Sequence, residues 1–90
     1  MYAAMRMTLN RVNNALEQYD NSDNPDDPKA IIDINRAIYM VVSHRSAPNS
    51  DIINDIHYHC VKARNEFERS NNLQAIKDSL VDIRQLATTM

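Results

Sequence analysis

The sequence predicts an all-α protein, an antiparallel up-down bundle of about four helices that takes up all 90 residues as one domain. Three observations predict it. Apolar residues recur at three- and four-residue spacing in the first and last segments. Breaks rich in Asn, Asp, Ser and Pro separate the segments, and no stretch keeps the two-residue alternation of a half-buried strand.

The first helix is expected from about Tyr2 to Tyr19, where Tyr2, Met5, Leu9, Val12, Leu16 and Tyr19 keep a 3-4-3-4-3 spacing and fall on one stripe. It ends at "DNSDNPDDP", Asp20 to Pro28, because Pro25 and Pro28 cannot continue it. Asp27 before Pro28 reads as an N-cap with proline at the first helical position. The second helix, about Pro28 to Arg45, carries Ile31, Ile34, Ile38 and Val41 on one stripe, with Ile32, Tyr39 and Val42 as a second apolar face and Met40 on neither. In a monomer such a helix is central; in a dimer its spare face is a seam. "SAPNS" then supplies a stop at Pro48 and a cap at Asn49 or Ser50. The third helix runs from about Asp51 to Arg69, with Ile52, Ile56, Ala63 and Phe67 in helical register. The last begins near Asn71 or Asn72, with Leu73, Ile76, Leu80, Ile83 and Ala87 again at heptad spacing, and Asn71 with Gln74 resembles a capping box. Short connections make sequential helices antiparallel.

Composition narrows the function classes. Glycine is absent, so glycine-rich phosphate loops and the dinucleotide fingerprint are excluded. Net charge is -2 and the ten basic residues are dispersed, a poor footprint for nucleic acid, where a clustered basic face carries the affinity. No run approaches the roughly 18 apolar residues of a membrane span. A single cysteine has no partner within the chain and no secretory leader is apparent, so a soluble, cytoplasmic protein is expected, without membrane, nucleic acid or cofactor. The loop from Asp20 fails the calcium pattern, with Pro25 where glycine is needed and Ile31 where the bidentate glutamate belongs.

"DIHYHC", Asp55 to Cys60, is the one stretch that resembles a chemical site. On a helix, however, His57 and His59 point roughly 160° apart and cannot share an ion. What remains is Asp55 with His59, an i,i+4 pair and at most half of a metal site, since zinc wants three or four ligands. Cys60 falls on the core side, where it behaves as a small hydrophobe and not as a nucleophile. No catalytic residue is assigned, and a non-enzymatic role is expected.

Several stretches, "NALEQYD", "AIIDINRAI", "SDIINDI", "HYHCVKARNEF" and "NNLQAIKDSLVDI", follow one another in an order that resembles the flagellar secretion chaperones. These are small all-helical cytoplasmic proteins that hold flagellin before export. The resemblance covers most of the chain from Ala15 onward, and it implies a holder of an export-client helix with grooves along the second and third helices. The residues themselves point the same way. Surplus apolar positions Ile32, Tyr39, Met40 and Tyr58 are the candidate partner-binding set, read as a groove for another protein's amphipathic helix. The alternatives are a homodimer or larger homo-oligomer whose seam is that face, and a small metal-binding protein using Asp55 and His59.

Overall fold

The computed structural model describes residues 2–89, and within them lie α1 (Tyr2–Asp20), α2 (Pro28–Ser43), α3 (Asp51–Ser70) and α4 (Leu73–Ala87). No strand occurs among the described residues. The ends follow from local chemistry. Asp27 accepts from Lys29 N at 3.0 Å ahead of Pro28, and Ser50 accepts from Ile53 N at 3.3 Å, so the expected caps of α2 and α3 are in place.

Two boundaries differ from expectation. Helix α2 stops at Ser43, two residues before the predicted Arg45, and His44 is extended with ψ 144°. Its ring Nδ1 lies 2.7 Å from Ser46 Oγ and accepts from Ser46 N at 3.1 Å, a local bond that competes with continuing the helix. At the last junction Asn71 is not an N-cap. It ends α3 in the left-handed region (φ 55°), its N–H donating to Phe67 O at 2.7 Å, and Asn72 takes the cap of α4 by accepting from Gln74 N. In a chain without glycine, asparagine is the residue that tolerates this backbone at least cost. The Gln74 side chain turns forward to Asp78, so no capping box forms.

The helices alternate in direction. Along α4, Lys77, Arg84 and Ala87 meet Asp26, Asp20 and Asn13 in descending order on and just beyond α1. Between α2 and α3, Asn35 meets Cys60 and Tyr39 meets His57. Helices α3 and α4 share the most extensive interface, α2 touches all three others, and α1 and α3 barely meet.

The core is a cluster of Leu9, Val12, Leu16, Ile34, Ile38, Val42, Ile53, Ile56, Cys60, Leu80, Ile83 and Ala87. A smaller group, Ile31, Ala63 and Ile76, lies beside Phe67 and Leu73. The predicted stripes of α1 and α4 are thus the observed ones; the side chain of Tyr2 lies outside the described residues. On α2 two positions exchange roles: Val42 is buried and Val41 only half-buried. A strict heptad drifts about 20° per repeat on a straight helix, so over three turns the eleven-residue spacing Ile31 to Val42 keeps its face better. On α3 the buried stripe is Ile53, Ile56, Cys60 and Ala63, with Ile52 and Phe67 at its edge.

The four helices bury this core among themselves. Its accessible surface is 5754 Å² for 10.4 kDa, against about 5,400 Å² for a folded monomer of that mass. Its radius of gyration, 12.5 Å, matches the roughly 12 Å of a compact domain of this length.

Surface ties hold α4 against α1. Arg84 forks onto both oxygens of Asp20 at 2.7 and 2.6 Å, and the guanidinium holds that carboxyl below its ordinary 3.8. Both side chains are substantially exposed, so the pair contributes at most about 1 kcal/mol. A lowered carboxylate value stabilises the fold fully above the unfolded value near 3.8 and ceases to do so as pH falls through the native one. Asp20→Asn is expected to lower urea-unfolding stability by up to about 1 kcal/mol at pH 7 and by less at pH 3. An equal loss at both pH values would place its effect elsewhere.

Candidate partner-binding surface

Helix α2 has three faces, and the predicted partner residues divide among them. Its core face carries Ile31, Ile34, Asn35, Ile38 and Val42. Buried Asn35 donates to Cys60 O at 3.2 Å, which fixes the register of α2 on α3 with a polar bond inside the core. Ile32 and Tyr39, seven residues apart on one stripe, are half-buried. Tyr39 packs on the core, and its ring lies 5.2 Å from that of His57, tilted by 37°, which places this stripe toward α3. Met40, one residue on and so about 100° around the helix, is 63% exposed.

Tyr58 is also outward, 57% exposed on α3, with Lys62 Nζ 5.8 Å from its ring centre and His59 edge-on at 5.6 Å. The surface that continues from it along Val61, Lys62, Asn65, Glu66 and Arg69 exposes more apolar than polar area, much of it from the side-chain stems, and Glu66 pairs with Arg69 there. Met7 and Val81 are exposed to a similar degree. Among the described residues the large exposed apolar side chains therefore fall one to a helix, and singly placed residues of this kind are ordinary on a protein surface.

Tyr58 itself lines a depression of about 290 Å³ on α3, and Met40 lies near a second one. An open cleft of about 270 Å³ separates α1 from α2, floored by Ala15, Ile34 and Ala37, closed at the loop end by Tyr19 and Ser22, and edged by Gln18 and Asp33. Asp33, Ala37 and Met40 are related by i,i+4 and i,i+7, so Met40 continues the α2 rim of this cleft by one turn. Tyr19 is held at its end by a hydrogen bond from its hydroxyl to Pro25 O at 2.6 Å. Sequence reasoning passed over this cleft because alanine adds little to a helical wheel. The signal available was the spacing of Ala30, Asp33, Ala37 and Met40, a second 3-4-3 series on the side of α2 away from α3.

The proposed half-site of Asp55 and His59 is arranged differently. His59 Nδ1 approaches Asp82 Oδ2 of α4 at 3.9 Å, across the α3–α4 groove, while Asp55 is exposed. Among the described residues no three His, Cys, Asp or Glu side chains gather as a metal site would require. Cys60 is buried, and desolvation pushes its thiol up to about 12, only partly offset by Arg64. Among the described residues no helix is long and apolar enough to cross a membrane. Set against known protein families, curated proteins and solved structures, the chain matches none.

Proposed function

We propose that this chain is a non-enzymatic helical interaction module that receives a partner helix on the outer surface of α2. The observation that carries the reading is Met40, a large, flexible apolar side chain held in water one helical turn beyond an apolar cleft, on a bundle with a well-formed core of its own. Its mechanism is helix-in-groove recognition, in which apolar anchors at helical spacing on the partner enter the cleft. Tyr58 offers a further anchor on α3, and Ile32 and Tyr39 form the half-buried seam between the two helices. A holding chaperone for an amphipathic client, the role implied by the flagellar secretion resemblance, is one form of such a module. A closed core favours this reading over an obligate homo-oligomer, whose protomers leave core surface open.

The test is a photo-reactive residue placed at position 40 in cells of the source, with the same residue at Glu17 as control. A discrete adduct from position 40 with a different protein, reproduced with the two purified, is expected. Adducts only between copies of this chain, or equal labelling from both positions, would refute the reading.

A further inference from the structure

We infer that α1 is a releasable strap, which opens about the loop of residues 21–27 while α2, α3 and α4 stay packed together, and which thereby governs access to the core surface of α2 and α4. Proteins open in contiguous units of unequal stability, and the unit with the least buried contact opens first. Among the described residues α1 shares the least contact with the rest of the bundle: it meets α2, touches α4 more sparingly and barely meets α3. At the other extreme stand α3 and α4, which share the most extensive interface and are joined by Asn71 and Asn72 alone.

The fastenings differ in kind as well. Helix α2 is pinned to α3 by the buried bond from Asn35 to Cys60 O, whereas the ties of α1 to α4 lie nearer water. Asn13 Nδ2 donates to Ala87 O at 3.1 Å from a part-buried position. Asp20 with Arg84, and Asp26 of the loop with Lys77, are ion pairs between partly exposed side chains, which hold weakly. Nor does α1 strongly hold its own shape. It has no acid in its first turn and no base in its last, and Asp20 adds negative charge at the negative end of its dipole, which Arg84 answers from α4. By contrast α3 has Asp51 in its first turn and Arg69 in its last. Thr8, Asn10, Asn13 and Asn14 are weak helix formers, so α1 keeps its helix chiefly by packing Leu9, Val12 and Leu16 into the main core cluster. Released, it regains chain entropy, and it leaves Ile38, Leu80 and Ile83 of that cluster without its cover. This opening does not depend on what α2 receives from outside.

Native-state amide hydrogen exchange of the whole chain, followed residue by residue by NMR, tests this. The most protected amides of α1 are expected to exchange at least about tenfold faster than those of α3. Ile53→Val supplies the decisive comparison. Ile53 is buried on α3, which barely meets α1, so the contacts that the substitution weakens are present whether α1 is closed or open. It should speed the core amides of α3 and α4 by about two- to tenfold and leave those of α1 unchanged. Ile56→Val, three residues on and also buried, should repeat the pattern. If the amides of α1 accelerate together with those of α3 in either variant, or are as protected as those of α3 to begin with, the bundle opens all at once and α1 is no strap.

Discussion

Replacing Ile38 by alanine is expected to destabilise the bundle by about 2–5 kcal/mol, a large share of the roughly 5–15 kcal/mol that a domain possesses. Ile38 is fully buried on α2, the helix that touches all the others, and it belongs to the main core cluster. Deleting its outer carbons removes apolar transfer energy, and it also leaves a cavity that three surrounding helices cannot all move to fill. For a domain of this size each kcal/mol shifts the midpoint by about 4–8 °C, so thermal denaturation followed by helical circular dichroism should show a drop of at least about 10 °C. Met40→Ala, two residues away, removes a comparable side chain from water and should change stability by no more than about 0.5 kcal/mol. Equal effects of the two substitutions would contradict the assignment of α2's faces.

Cys60 should be nearly inert in the folded protein. With its thiol raised from 9.0 to about 12, the thiolate fraction at pH 8 is about a thousandfold below that of an ordinary cysteine, and the sulfur has almost no access to solvent. Labelling by a disulfide reagent is expected to be at least about a thousandfold slower than in denaturant, and to proceed through unfolding. Ile38→Ala should therefore accelerate it in proportion to the stability lost. The same shift has a pH signature. Below pH 9 both folded and unfolded thiols hold the proton; above it the unfolded state releases it first, so stability declines between about pH 9 and 12. Cys60→Ala should flatten that decline. Rapid native labelling at pH 8, insensitive to Ile38→Ala, would show that the α3 carbonyl–Asn35 region opens locally.

Most of the fold was legible because its strongest signals are local. The stripe from Met5 through Tyr19 and that from Leu73 through Ala87 need only the helical period, and Asp27–Pro28 is a start signal written in two residues. Helix α2 was harder to read. Apolar residues surround it, so the choice between Val41 and Val42 for the core depended on the pitch of the helix over three turns, and on which neighbours lay where. The pair Asn71 and Asn72 was ambiguous because both residues suit either cap. Only the left-handed backbone of Asn71 separates them.

The candidate surface was legible only as a list of surplus apolar residues. That Tyr39 would meet His57, or that His59 would meet Asp82 sooner than Asp55, are tertiary facts with no trace in helical spacing. Met40 was singled out correctly as lying on neither stripe. The cleft near it went unread because three of the residues that line it, Ala15, Ala30 and Ala37, are alanines, which add little to a helical wheel.

The ties from Asn13, Asp20 and Asp26 to successive positions of α4 have one more consequence. They set the first and last helices side by side and antiparallel, which brings the start of α1 and the end of α4 to the same end of the bundle. The four helices then follow one another around the bundle, α1 to α2 to α3 to α4 and back, with α2 also reaching across to α4. Every step around it but one is bridged by a short connection, and that one is bridged by side chains. Circular order, more than the linear order of the chain, is what the packing of this protein specifies.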